Sequence, residues 1–435
     1  MIRVLLTELR RGEAKWAAAL MTLTGCWYLA SESPAQSDWI GWWTQTSLQV
    51  QLFGVIVMGS VMSSAAAWGA GRAHRHRTLP LADTAARTGW TQALVVGLAA
   101  WLCALLGYAV LTAVAFARTA GVSELTAPVW APLLLGAAVL ALQTAFGTAL
   151  GAALPSRVVA PFAGVFWYGL FVVLGFLPDS PVNKLVPAVD EHWDTVFAPN
   201  TTRMLIAGVW CLALALLLPA LPALLRSAAR PRPYAPVALA LVALGAGAAL
   251  ASFPTPKPDP YWAVRKEQPA EPVCATSGRT TACLWPEDRH LLARARAAAG
   301  RVDAGLGGLK GLNRGFYATG LDRPPGTTAE LPLTSPAETE EQLTEAMYAA
   351  SLPLPPEDCE PRPRDDIGGY PDTFLFEAAV RQRIGAPSEY YGDRFGAAVE
   401  RIARAPRAAQ DTWIEQAAGA IRTCRPVPPL PGPPR

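Results

Sequence analysis

The sequence predicts an all-α polytopic membrane protein, with about seven transmembrane helices and a mainly helical extracytoplasmic C-terminal domain. Of its 435 residues, 51% are hydrophobic and only 16% are charged, a composition skewed towards membrane proteins. From Trp16 to Ser252, charges occur only between long apolar runs, whereas from Phe253 onward Arg, Glu, Asp and Pro become frequent. The chain therefore divides into a membrane unit and a water-soluble unit.

The predicted spans are charge-free stretches at 16–30, 47–70, 90–117, 128–154, 158–177, 204–225 and 235–252. Each approaches or exceeds the ~20 residues that a helix needs to cross a hydrocarbon core. The first stretch is the shortest. It is interpreted as an uncleaved anchor rather than a signal peptide, because Tyr28 takes the −3 position of a cut after Ala30, where a small residue is needed.

These stretches predict six segments along the chain. They are a cytoplasmic interfacial helix (1–14), a six-helix transmembrane domain (15–232), a seventh transmembrane helix (233–253), a Pro-rich linker (254–272), an extracytoplasmic helical domain (273–425) and a Pro-rich tail (426–435). The linker and the tail are expected to be extended, because Pro-rich segments favour the polyproline conformation.

Basic residues in the connections orient the predicted spans. The N-terminal arm and the second, fourth and sixth connections hold twelve Lys and Arg residues, whereas the alternate connections hold three. Cytoplasmic loops carry the excess of basic residues, so the N-terminus is predicted to be cytoplasmic and the C-terminal domain extracytoplasmic. An Ala-, Arg- and Pro-rich composition with few Lys and Asn favours a bacterial plasma membrane as the location.

Several functions have no support in the sequence. The net charge is only +3 and the basic residues are dispersed among short loops, which disfavours nucleic-acid binding. The spans contain no ionisable residue with which to couple ion movement. The chain also has no GxxxxGK[ST] phosphate loop and no HExxH or GxSxG motif, so no catalytic residue is predicted.

Residues 1–11 predict a short helix in the cytoplasmic membrane interface. The alternative is an unstructured charged leader. The residues of this segment are the apolar Ile2, Leu5, Leu6 and Leu9 on one face, with Arg10 and Arg11 elsewhere.

Residues 71–89 form the longest predicted cytoplasmic connection, and they combine a basic cluster with an apolar segment. His74 and His76 form an HxH pair, but no third ligand stands nearby, so no metal site is predicted. A basic surface that contacts lipid or a partner protein is the favoured interpretation.

Together these features resemble the integral membrane permease subunit of ABC-type exporters of the six-helix class, in an actinobacterial style. Members begin with an amphipathic interfacial helix, carry a coupling helix between spans two and three, and have re-entrant helices between spans five and six. The corresponding segments here are 1–11, 71–89 and 178–203. The resemblance covers about the first 230 residues and rests on architecture and loop style rather than on an invariant motif. Members usually end after the sixth span, whereas this chain adds a seventh span and a large outer domain.

The resemblance implies that a separate ATP-binding cassette ATPase binds ATP and docks on the connection, while this chain binds no cofactor. It also implies a homodimer or heterodimer of permeases in the lipid bilayer that moves a hydrophobic or amphipathic substrate. The alternatives are a membrane-anchored binding or sensory protein and a membrane-embedded enzyme. The implied coupling residues are His74, Arg75, His76, Arg77, Leu79, Leu81, Ala82 and Asp83.

The outer domain contains four of the seven cysteines, namely Cys274, Cys283, Cys359 and Cys424. An even number in an outward-facing segment predicts two disulfides. Of the three possible pairings, proximity favours Cys274–Cys283, which leaves Cys359–Cys424. A zinc site with His290 is the rival interpretation, but the cysteines lack CxxC spacing.

Helical signals in this domain have identifiable ends. Pro286 is expected to begin one helix, and Ser335 with Glu338 is expected to form a capping box for a helix that ends near Ser351. Two further helices are predicted at 373–384 and 408–423.

Overall fold

The computed structural model describes residues 2–33, 37–76, 89–123, 129–154, 156–176, 184–185, 193, 195–220, 234–254, 261–269, 271–354, 371–384 and 392–430. The chain divides into two compact units. The first comprises Met1–Trp193 with Phe197–Lys266, and the second comprises Asp194–Val196 with Glu267–Arg435.

The first unit is built mainly from helices. A π-helical turn at Gly54–Met58 joins its third and fourth helices, and a 3₁₀ turn at Leu218–Ala220 extends its ninth. The helices are α1 (Ile2–Arg11), α2 (Ala14–Ser31), α3 (Trp43–Phe53), α4 (Gly59–Ala70), α5 (Arg72–Arg75), α6 (Gly89–Ala120), α7 (Trp130–Ala153), α8 (Val159–Gly175), α9 (Thr201–Leu217) and α10 (Tyr234–Ser252).

Among the described residues, four helices are long and apolar enough to cross a membrane: Trp43–Ala70, Trp90–Ala120, Trp130–Ala153 and Thr201–Ala220. Two shorter apolar helices, Val159–Leu174 and Val237–Ser252, lie within α8 and α10. Each of the seven charge-free stretches thus contains a helix in the described residues, and four of these helices have the length and composition of a span. The count of seven spans stays a prediction.

The helices α4 and α7 pack unusually closely, because glycines of α7 lie against the backbone of α4. A Cβ atom added at Gly147 would lie 2.0 Å from the carbonyl oxygen of Ser63, and one added at Gly151 would lie 2.1 Å from that of Ala67. Small residues allow such approach between helices in a membrane. This pair forms the centre of the first unit.

Part of the segment predicted to be an extended linker belongs to the first unit instead. Strand β2 (Ala263–Arg265) pairs antiparallel with β1 (Phe197–Pro199). Tyr261 and Trp262 are 9% and 5% exposed and belong to the hydrophobic core. Burying two adjacent aromatic side chains is more favourable than leaving them in a solvated spacer, which explains why this part of 254–272 packs against the helices.

The second unit combines helices with a mixed four-stranded sheet. The strands β3 (Val273–Ser277), β4 (Thr280–Leu284), β5 (Gly315–Ala318) and β6 (Thr328–Leu331) lie in that order, and only β3 and β4 are antiparallel. The prediction of a mainly helical domain missed this sheet. The helices are α11 (Leu292–Leu306), α12 (Glu340–Ser351), α13 (Pro371–Arg383), α14 (Gly392–Arg404) and α15 (Arg407–Arg422).

Of two predicted helix starts in this unit, the first is confirmed and the second is corrected. Pro286 begins a 3₁₀ turn, Pro286–Leu291, which leads into α11. The capping box of α12 is formed by Thr339 and Gln342, so the prediction that Ser335 and Glu338 form it was wrong. Glu338 is instead used inside the preceding turn, where its Oε1 accepts hydrogen bonds from the backbone and hydroxyl of Thr334.

Candidate functional site

Arg72, the first residue of α5, links the interfacial helix to the helix core. Its Nη1 lies 3.3 Å from Glu8 Oε2 in α1, and its Nη2 lies 2.8 Å from Glu13 Oε2 in the turn between α1 and α2. One guanidinium group therefore joins the N-terminal segment to the point where the 71–89 connection begins. Because a planar guanidinium has several N–H donors, it can hold two carboxylates at once.

The other side chains of α5 contact two further helices. The Arg75 guanidinium lies 4.0 Å from the ring centroid of Trp68 in α4, a cation–π distance, and burial lowers its pKa. The His74 Nε2 lies 3.0 Å from the carbonyl oxygen of Ala152 at the end of α7. We call Arg72, His74 and Arg75 the α5 junction, since together they contact α1, α4 and α7.

The α5 junction contains only part of the predicted coupling surface. His74 and Arg75 lie in it, and the next residue, His76, is exposed at its end. Arg72 was not among the predicted coupling residues, although its position one residue after Gly71 places it in the same basic cluster. The remaining predicted coupling residues, which are Arg77, Leu79, Leu81, Ala82 and Asp83, lie outside the described residues.

The interfacial helix leaves much of its apolar face uncovered. Ile2 and Leu6 are 74% and 46% exposed, whereas Leu5 and Leu9 are partly buried. An amphipathic helix with an open apolar face is typical of a segment that lies in a membrane interface. The predicted helix is confirmed as a helix, and its placement on a membrane stays a prediction.

A buried glutamine marks the π-helical turn between α3 and α4. Gln143 of α7 is fully buried, and its Nε2 donates to the carbonyl oxygen of Val55 at 2.8 Å. A Cβ atom added at Gly59 would lie 1.7 Å from Gln143 Oε1, so glycine leaves the space for the amide. Turns of this kind are frequent at functional sites in helices. The sequence signal for this buried residue was that Gln143 is the single amide side chain in the apolar stretch 128–154.

The cysteines of the second unit follow the favoured pairing as far as the structure describes them. Cys274 in β3 and Cys283 in β4 are directly opposite in the antiparallel register and form a disulfide, which confirms that prediction. Cys424 is also disulfide-bonded. Its favoured partner, Cys359, lies outside the described residues, so this pairing stays a prediction.

Both ring nitrogens of His290 contact backbone carbonyl groups near the loop that precedes α12. Its Nε2 lies 2.6 Å from the Pro336 carbonyl oxygen and its Nδ1 lies 3.3 Å from that of Glu287. Burial lowers the pKa of His290, and burial raises the pKa of Glu338 in the same loop. Within the described ranges, no three His, Cys, Asp or Glu side chains are grouped to hold a metal ion.

The comparison with known proteins finds a similarity within the second unit alone. A family model described as a domain of unknown function (DUF7224) matches residues 282–424. The match begins inside β4 and ends at Cys424, so it covers most of the sheet and the five helices described in this unit. No curated protein and no solved structure matches the chain. The chain is thus similar, over its C-terminal third, to a family whose activity its description leaves open.

Proposed function

We propose that the chain is the permease subunit of an ABC transporter, which moves a hydrophobic or amphipathic substrate with energy from a separate ATPase. The observation that carries this proposal is the α5 junction. It begins the 71–89 connection and contacts α1, α4 and α7 through Arg72, Arg75 and His74. An ATPase that pulls on this connection would thereby move three helices together.

The proposal includes the arrangement in the membrane. Seven spans would place the N-terminus in the cytoplasm and the second unit outside, and two permease subunits would associate. Four helices of suitable length and composition support the membrane placement. Large exposed apolar side chains on α8, such as Phe162 and Val165 at 56% and 67%, support contact with lipid or a second subunit.

The decisive experiment measures binding and hydrolysis with an ATP-binding cassette ATPase co-expressed with the full chain. We expect co-purification, ATP hydrolysis stimulated by the permease, and loss of both when residues 79–83 are deleted. Arg72→Ala should keep binding but reduce the stimulation severalfold, because the link to Glu8 and Glu13 is removed. Arg3→Ala, which replaces an exposed basic residue of the same unit, is the matched control and should behave like the wild type.

The alternative function is a membrane-anchored binding or sensory protein whose outer domain binds a ligand or partner. The family match favours it to the extent that it covers only the second unit. If no ATPase binds, or if binding is unchanged after deletion of residues 79–83, the permease proposal fails and this alternative takes its place.

A further inference from the structure

An apolar groove opens between α6, α7 and α9 of the first unit. Its volume is about 200 Å³. The floor is formed by small buried residues of α7, with Ala141, Thr144 and Ala145 only 7%, 1% and 5% exposed. The rim is formed by large exposed side chains, which include Leu98 of α6 and Leu216 of α9 at 39% and 46%. The groove therefore reaches from the helix core to the outer surface of the bundle.

The described side chains that line the groove offer no free hydrogen-bond donor to a ligand or to water. The Trp101 Nε1 in its wall donates to the Ala137 carbonyl oxygen at 2.9 Å. The Thr144 hydroxyl donates within its own helix, at 2.9 Å from Leu140 O and 3.0 Å from Ala141 O. A buried water needs two to four polar partners, so water is a poor occupant of this space.

The position of the groove indicates what fills it. Its walls belong to three of the four helices that are long and apolar enough to cross a membrane. At that depth the surrounding medium is hydrocarbon. One turn of a helix, ~10 Å across and ~5.4 Å long, occupies roughly 400 Å³, about twice the volume of the groove. A helix of a second subunit would therefore lie over this space rather than within it, whereas a single flexible chain can enter it.

We propose that this groove is a binding site for one hydrocarbon chain of a membrane phospholipid. Trp90, close to the start of α6, donates its indole N–H to the Leu216 carbonyl oxygen at 3.2 Å beside the rim. Tryptophan is enriched at membrane interfaces, so the lipid headgroup lies on the Trp90 side, in the leaflet predicted to be cytoplasmic. The site requires the helices to lie in a bilayer, but it does not depend on transport or on an ATPase.

The test uses the full chain in nanodiscs that contain a phospholipid with a photoactivatable diazirine on one acyl chain. Mass spectrometric mapping should place most adducts on the groove-lining parts of α6, α7 and α9. Leu98→Trp, which narrows the rim, should lower these adducts at least fivefold. Leu106→Trp is the matched control, because Leu106 is on the same helix and 71% exposed but outside the groove, and it should leave them unchanged.

The proposal is overturned if adducts are spread evenly over the exposed faces of the bundle, or if both α6 variants behave alike. A second pair of variants, on α9, provides an independent test in case a variant of the first pair does not fold. Leu212→Trp on the rim of the groove and Leu205→Trp elsewhere on α9 are 41% and 50% exposed in the wild type. Leu212→Trp should lower the number of adducts and Leu205→Trp should leave it unchanged. Equal numbers of adducts in these two variants would contradict the proposed lipid site.

Discussion

One arginine of the first unit satisfies carbonyl groups left free at the end of a helix. Arg118, near the end of α6, donates through Nη1 to the carbonyl oxygens of Leu29 and Ala30 at 2.9 Å each, and through Nη2 to that of Glu32 at 2.6 Å. The last carbonyls of a helix have no partner within it, and they are costly to leave unpaired when partly buried. One side chain thus ends α2 and ties it to α6.

Replacing Arg118 should therefore destabilise the first unit. In Arg118→Ala, three carbonyl groups at the end of α2 lose a charged donor, and we expect the free energy of unfolding to fall by about 1–3 kcal/mol. Denaturant titration of the full chain in micelles measures this change. Arg157→Ala removes an exposed arginine and should change the value by less than about 0.5 kcal/mol; equal effects of the two variants would disprove the role of Arg118.

His290 should make the second unit less stable in mild acid. Because burial lowers its pKa below the ordinary value of 6.5, the unfolded state binds the proton more readily. Stability from this group is therefore present above pH 6.5 and is lost as pH falls through the lowered folded pKa. Pulse proteolysis of the full chain in urea, between pH 5 and 8, should show a lower midpoint for this unit at the acidic end.

The control for this pH dependence is His290→Gln, whose amide keeps a donor for the Pro336 carbonyl group. This variant separates the effect of His290 on stability from that of Glu338, whose raised pKa has the opposite effect. The stabilisation from Glu338 decreases as pH rises above 4.5 towards its folded pKa. The difference in midpoint between the wild type and the variant should vary with pH below 6.5. A constant difference would show that His290 does not titrate in that range.

At the scale of elements, the contact between α4 and α7 depends on glycine. Gly147→Ala places a methyl group 2.0 Å from the Ser63 carbonyl oxygen, so one backbone must move, at a cost of about 1–3 kcal/mol. Gly169→Ala on α8 meets nothing within 4 Å and should not destabilise the fold. Thermal unfolding in the same detergent distinguishes the two variants, and a Gly147→Ala protein as stable as the control would exclude this close contact.

Sequence patterns predicted the apolar helices better than the second unit. Long charge-free stretches identify helices of this kind almost by composition alone, and Gln143 was visible as a single amide in one of them. Its hydrogen bond to Val55 was not visible, because it depends on a π-helical turn in another helix. The interfacial helix was predictable for a different reason, since its apolar residues repeat at helical spacing.

The sheet was missed because its strands are short and carry weak signals. The β3–β4 hairpin has five residues in each strand and only Gly278 and Arg279 between them, with Gly278 at a φ of +60°. A Gly-containing two-residue connection is a recognised hairpin signal, so the pairing of β3 with β4 could have been predicted from the sequence. The parallel strands β5 and β6 depend on distant pairings that no local pattern reveals.

The capping box of α12 was wrongly predicted because two neighbouring segments both satisfy the capping-box pattern. Ser335 with Glu338 and Thr339 with Gln342 both have the capping-box spacing, and only the second is used. Glu338 is drawn into the turn by Thr334 instead, in a loop held by His290. Tertiary contacts of this loop, rather than local preference, decide where α12 begins.

At the scale of the whole molecule, the sharpest prediction is that the 71–89 connection and the second unit face opposite sides of the membrane. Because five predicted spans lie between them, His76 beside the α5 junction should be cytoplasmic and Leu354 of the second unit should be outside. In intact cells, a membrane-impermeant maleimide should label Leu354→Cys, which replaces a side chain 84% exposed, but should label His76→Cys only after the cells are opened. Labelling of both positions in intact cells, or of neither, would require an even number of spans between them. The disulfide-bearing unit would then lie on the same side of the membrane as the proposed ATPase surface, which the permease proposal does not allow.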